Sequence, residues 1–211
     1  MLQRMMDLPL EFYGFHIFSG SQNLRAESIM EAQSKTLELA RRLSADAPGP
    51  VKLLNMGGGF GIPYFPGEQP LDLMAVGEHL SGLMPQARRG FPEAEFVIEL
   101  GRYLVGEAGV YVSRVIERKL SRGQVFLITD GGLHHHLAAS GNFGQVIRKN
   151  YPVVVGNRVA SGGDDELASA VGPLCTPLDV LADKMALGHA REGDLIVVLQ
   201  SGAYGLTASP T

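Results

Sequence analysis

Three consecutive glycines, Gly57, Gly58 and Gly59, follow an apolar run in "VKLLNMGGGFGIPY". Without a Cβ they can take positive φ and present backbone amides to whatever is pressed against them. A row of N–H donors after a strand is a common seat for a phosphate, although a tight strand-to-helix turn without a ligand has the same sequence. Glu99, in "EFVIELGRY", follows a second apolar run, where a carboxylate is costly to bury without a partner; Arg102 is the nearest candidate. Cys175 is the single cysteine. A thiol is a group suited to moving a proton near neutral pH, and Cys175 would equally serve as a small buried apolar group. His134, His135 and His136 are consecutive, and neighbours on a strand face opposite ways, which does not suit a metal site built from spaced ligands. No metal is expected.

The elements that must position these residues fall into two patterns. "EFYGFHIFSG" reads as a strand and "SQNLRAESIMEAQSKTLELARRLSADAPG" as a helix, with Ile29, Ala32, Leu37, Leu39, Ala40 and Leu43 as an imperfect apolar stripe. "VKLLNM" is a buried strand, residues 71–89 a second helix and "EFVIEL" a third strand. Strand, helix, strand, helix, strand at this spacing predicts parallel strands joined by crossover helices. Beyond about residue 108, "GVYVSRVIERKL", "GQVFLITDGG", "YPVVVGNR" and "GDLIVVLQSGAY" are strand candidates separated by turns, with "PLDVLADKMAL" as a helical or loop insertion. The expected organisation is an α/β part over 1–108 and a mainly antiparallel β domain over 109–211, truncated at its end.

Composition excludes several classes. A net charge of −4 on 211 residues supplies no basic face for nucleic acid. No apolar run approaches the roughly 20 residues that span a bilayer, and the start lacks the parts of a signal peptide. With one cysteine there is no internal disulfide, so a cytoplasmic location is expected. Both ends are abrupt, as expected of a piece of something larger.

Five stretches in order, "GFHIFSGSQ", "NMGGGFGIPY", "ELGRYLVGEAGVYVSRV", "VGPLCTPLDVLA" and "GDLIVVLQSGAYGLTAS", resemble the ordered motifs of the fold-type III pyridoxal-phosphate decarboxylases. These include the diaminopimelate, ornithine and arginine decarboxylases and relatives acting on carrier-bound amino acids. The resemblance implies the second half of an alanine-racemase-type (β/α) barrel followed by the β domain, within a protein about twice this length. It implies pyridoxal 5'-phosphate as cofactor, with its phosphate held by Ser21, Gly57, Gly58, Gly59, Gly101 and Tyr204, and Arg102 on phosphate or a substrate carboxylate. Ser21 alone would read as a loop serine at a helix N-cap, and Tyr204 alone as an aromatic at a domain junction. Glu99 corresponds to the acid that bonds the pyridine nitrogen, keeping the ring an electron acceptor. His16 matches the earlier histidine of "HCHIGSQ". Phe18 takes the place of the ring-stacking histidine and could stack without donating, or be a plain core phenylalanine. Cys175 corresponds to the thiol that handles the proton at Cα in the partner subunit of a homodimer, and Asp179 to a later acid of the substrate-binding motif.

The departures bear on substrate. Leu100 replaces the proline of Glu-Pro-Gly-Arg, and Thr176 replaces the acid after the cysteine. The Asp130-Gly131-Gly132 turn leads into "HLAASGNF", which lacks the arginine that holds a distal carboxylate. The implied substrate is an amino acid other than free diaminopimelate, or an aminoacyl group on a carrier. The family's Schiff-base lysine stands in a Tyr-Ala-Val-Lys-like segment. Lys35, Lys52, Lys119, Lys149 and Lys184 stand in no such context, so this stretch alone is expected to be inactive. Two other readings remain: an amino-acid racemase of the same fold, and a non-catalytic truncated partner of a full-length decarboxylase.

Overall fold

Leu54 and Met56 lie on one face of their strand and are buried there, while Leu53 and Asn55 on the other face are only partly buried. The computed structural model describes Met5 and residues 7–145, 147–158 and 165–211. Three strands, β1 (Gly14–His16), β2 (Leu53–Gly58) and β3 (Glu95–Glu99), pair in that order and are all parallel. The crossovers are α1 (Ala26–Ser44) and α2 (Leu73–Gly90), as the alternating pattern predicts. Asp72 caps α2 by accepting from the Ala75 N–H at 3.0 Å. α1 stops ahead of the Pro-Gly-Pro run, with Arg41 and Arg42 in its last turn facing the negative end of its dipole. Leu37 and Ala40 of α1 pack with Leu54 and Met56 of β2 and with Ala87 and Phe91 from the α2 side. Leu54 is fully buried, so truncating it to alanine would cost about 2–5 kcal/mol.

The chain divides into two units. The first is Met1–Pro63 with Gln69–Tyr103; the second is Tyr64–Glu68 with Leu104–Thr211. The short return of Tyr64–Glu68 to the second unit has a local cause: the Tyr64 ring lies 4.5 Å from that of Tyr151, and Lys149 Nζ sits 4.6 Å over Phe65.

A six-stranded sheet organises the second unit. Its strands are β4 (Tyr111–Ser121), β5 (Gln124–Thr129), β6 (Val153–Val155), β7 (Asp165–Val171), β8 (Val180–Gly188) and β9 (Leu195–Val198), in the order β6-β9-β4-β5-β7-β8. All neighbours are antiparallel except β5 and β7. Arg122 and Gly123, both at positive φ, make the tight two-residue turn between β4 and β5. One expectation is corrected here. "PLDVLADKMAL" is not a helical or loop insertion; its greater part is β8, paired along β7. Two register shifts between β7 and β8, with Lys184 at φ +46°, break the two-residue alternation by which the strand would have been recognised.

Candidate active site

Parallel strands deliver their last residues to one edge of a sheet, and ligands of α/β proteins bind at that edge. His16 ends β1, Gly58 ends β2 and Glu99 ends β3, with Gly58 in register with Glu99. Asn55 Nδ2 donates to Glu99 Oε1 at 2.8 Å, and His16 Nε2 lies 3.2 Å from Glu99 Oε2. Asn55 Oδ1 in turn accepts from the Gly57 N–H at 2.9 Å. Each carboxylate oxygen is therefore fixed by a side chain from another strand of the sheet, Oε1 from the neighbouring β2 and Oε2 from β1 beyond it. The Glu99 side chain nevertheless keeps 47% of its exposure, so it meets little of the burial cost that its apolar strand suggested. It is oriented and still accessible, as a group that must grip a ligand has to be.

What comes close to the glycine turn is the protein's own backbone. A Cβ on Gly58 would collide with the Glu99 carbonyl oxygen, and one on Gly59 with that of Gly20. Gly57 and Gly59 also sit at φ +73° and +81°, where a side chain is strained. The Asn23 N–H donates to Gly59 O at 2.8 Å and the Gly61 N–H to Asn23 O at 2.9 Å, laying residues 20–23 along the turn. Ser21 is thereby brought beside the glycines, and its side chain is exposed.

A cavity of about 440 Å³ opens between this turn, residues 19–23 and the first half of α1. Ser19, Ser21, Ser28, Gln33, Gly57 and Gly58 are among its walls, and among the described residues no charged one is. Arg25, at the α1 N-cap, makes no side-chain cap hydrogen bond to the first turn, which leaves the positive end of the helix dipole uncapped. Gln33 is only 4% exposed, and neither its Nε2 nor its Oε1 has a protein partner. Leaving such an amide unpartnered costs about 1–3 kcal/mol. Hydroxyls, an uncapped helix end and no carboxylate make a donor set that fits a phosphate.

Phe18 is 59% exposed, so it is not a core phenylalanine; its backbone runs against Gly57. Gly101 has open space around it, and Arg102 begins the short α3 (Arg102–Val105).

Three expected site residues belong to the second unit. Cys175 is an exposed thiol, not a buried apolar group. Asp179 is 2% exposed; its Oδ1 accepts from the Leu133 N–H at 2.6 Å and its Oδ2 from the Leu174 N–H at 2.9 Å. Gly132 and Gly172 press so close that a Cβ on either would strike this carboxylate. Asp179 thus ties the Cys175 loop to the Asp130-Gly131-Gly132 turn. Tyr204 is 40% exposed at φ +57°, with its ring 5.8 Å from that of Phe143.

His136 is fully buried between Tyr111 and Tyr151, its Nε2 is 2.9 Å from Ser201 Oγ, and its Nδ1 accepts from the Ala139 N–H at 3.1 Å. Burial lowers its pKa to about 4. Among the described residues no cluster of three His, Cys, Asp or Glu is placed to hold a metal, and no helix is long and apolar enough to cross a membrane.

Sequence reasoning missed Asn55 and Gln33. Both carried a signal: Asn55 is a polar residue set between Leu54 and Met56 just ahead of the glycines, and Gln33 interrupts the α1 stripe midway between Ile29 and Leu37.

The family model described as "Pyridoxal-dependent decarboxylase, C-terminal sheet domain" matches residues 13–202. The chain belongs to this family. Among curated pyridoxal-dependent decarboxylases, it is 43% identical to an L-glutamyl-(BtrI acyl-carrier protein) decarboxylase of Niallia circulans, over 95% of this chain and 47% of that protein. It is 33% identical to a diaminopimelate decarboxylase of Thermoplasma acidophilum, over 91% of this chain and 43% of that protein. The chain spans about half the length of the curated relatives it matches. A solved diaminopimelate decarboxylase of Helicobacter pylori, complexed with L-lysine, superposes with a TM-score of 0.71 at 26% identity, over 95% of this chain and 46% of that one. The fold is likewise shared with the diaminopimelate decarboxylase of M. jannaschii, at a TM-score of 0.76 and 22% identity over 98% of this chain and 46% of that one.

Proposed function

We propose that this chain supplies the ring-holding and phosphate-holding part of a pyridoxal-phosphate-dependent amino-acid α-decarboxylase. The carrying observation is Glu99, fixed by His16 and Asn55 at the strand ends beside the glycine turn. The three parallel strands then belong to an alanine-racemase-type barrel, whose other strands this chain does not contain. Bound here, pyridoxal phosphate supplies an electron sink for the pair left at Cα when a carboxylate departs as carbon dioxide.

The chain's own residues act as holders. Glu99 accepts the hydrogen bond of a protonated ring nitrogen, and its two side-chain partners keep its lone pairs directed. Ser21, Gly57 and Gly58 line the phosphate end, Gly59 completes the turn, and Gly101 and Arg102 follow Glu99 after Leu100. Phe18 offers an exposed aromatic face for stacking. On the family resemblance, Tyr204 donates to the phosphate and Cys175 returns a proton to Cα in the partner subunit of a homodimer. The exposure of both side chains supports those roles. Asp179 acts through the Cys175 loop, since both its oxygens are engaged by backbone amides.

Lys35 pairs with Glu31 and Lys52 with Glu11, and no lysine lines the 440 Å³ cavity. The lysine that captures the cofactor aldehyde is therefore assigned to none of the five lysines in this chain. The substrate is an amino acid, free or carried on a protein, and the location cytoplasmic. An acid at the ring-nitrogen position favours decarboxylation over racemisation, which is usually served by an arginine there.

Carbon dioxide release by the protein as its gene encodes it, loaded with pyridoxal phosphate, tests the proposal. Glu99→Ala is expected to lower kcat by about 10³-fold while folding is kept. Unchanged turnover would remove Glu99 from the reaction.

A further inference from the structure

The buried carboxamide of Gln33 has no part in the fold's own hydrogen bonding. It stands on the face of α1 that otherwise carries Ile29, Leu37 and Ala40, 4% exposed, with both polar atoms unpartnered. Buried amides are nearly always satisfied, so an orphaned one calls for a ligand or an ordered water. Gln33 lines the cavity that Ser21, Ser28 and the glycine turn also border. That cavity lies against the first turn of a 19-residue helix whose N-cap residue offers no side-chain acceptor.

We infer that Gln33 is a further phosphate-holding residue, its Nε2 donating to the phosphate directly or through one water. The inference rests on the reading of this cavity as a cofactor phosphate seat. A phosphate dianion carries no proton, so donors alone can grip it. Ser21 and Ser28 offer hydroxyls, the start of α1 offers backbone N–H groups and the positive end of its dipole, and Gln33 adds an uncharged donor from the floor. Its Oε1 accepts from a wall hydroxyl or a bound water, so the amide is satisfied only when the cavity is filled. A glutamate here would place an acceptor and a charge against the anion. A leucine would fill the space and give nothing.

The test uses the protein as its gene encodes it and two fluorescent probes, pyridoxine 5'-phosphate and pyridoxine, which differ only by the phosphate. Wild type is expected to bind the phosphate ester more tightly. Gln33→Leu is expected to weaken the ester about tenfold and leave pyridoxine unchanged, while the ligand-free protein melts no lower than wild type because an unpartnered amide is gone. Inorganic phosphate should raise the melting temperature of wild type more than that of Gln33→Leu. If wild type binds both probes equally, the phosphate-seat reading itself fails. If the ester is preferred but Gln33→Leu binds it as wild type does, or weakens both probes alike, only the Gln33 inference is overturned. Should Gln33→Leu not fold, Gln33→Glu keeps the shape: a loss of about a hundredfold confined to the ester supports the assignment, and an unchanged ester affinity overturns it.

Discussion

Glu99 at the end of β3 and Asp179 just ahead of β8 are both carboxylates held at two points, yet one is half exposed and the other sealed. Glu99 is gripped from the side by His16 and Asn55, which leaves an open face. Asp179 is gripped by backbone amides from two different loops, with two glycines cleared to let it in. Beside the glycine turn lie an accessible phenylalanine and an orphaned buried glutamine. In the second unit, Asp194 likewise accepts from Arg158, Asn157 and the Arg191 N–H, and these bonds outweigh its desolvation to hold its pKa at about 2. On the proposed reading, the polar groups left unsatisfied or accessible in the first unit await a ligand. The satisfied ones in the second keep loops in place.

Substitutions can break or sharpen that contrast. The largest effect on stability is expected from Asp179→Ala, which leaves the Leu133 and Leu174 amides without an acceptor; a loss of about 3 kcal/mol should appear in urea denaturation.

Acidification should have a comparable effect through His136. Its folded pKa, about 4, lies below the ordinary 6.5, so the unfolded chain takes up a proton that the folded protein refuses. Its contribution is intact above pH 6.5 and is lost progressively as pH falls toward 4, by roughly 3 kcal/mol at about 1.4 kcal/mol per pH unit. Denaturation midpoints at pH 7, 5.5 and 4.5 should show the slope, and His136→Gln should lack most of it.

A smaller effect of another kind is expected from Asn55→Leu. Stability should stay within about 1 kcal/mol, while kcat falls about tenfold because Glu99 loses the partner that orients it. An equal fall in stability would make Asn55 structural. Smallest of all, Lys35→Ala breaks the exposed Glu31–Lys35 pair and should shift stability by less than about 0.5 kcal/mol.

The first unit was legible because each of its signals is local. Apolar runs at strand spacing gave the parallel order, and the glycine turn and Glu99 stood at the strand ends where chemistry collects. The second unit hid β8 because bulges scramble alternation, and it hid β7 because "DELASAV" is poor in the branched and aromatic residues that mark strands. What the glycines avoid could not be read from the chain, since Gly20 and Glu99 approach them only through tertiary packing. The burial of Asp179 was hidden in the sequence, because a motif names a residue type and not its surroundings. Gln33 is the converse: its place on the apolar stripe was visible, and only the cavity gives that place a meaning.

The most direct measurement is a crystal structure of the protein as its gene encodes it, grown with pyridoxal 5'-phosphate. The phosphate is expected beside Ser21 and the Gly57–Gly59 turn, with the ring nitrogen within hydrogen-bond reach of a Glu99 oxygen. A cofactor bound with Glu99 turned away from its ring, or a phosphate seated elsewhere, would contradict the account.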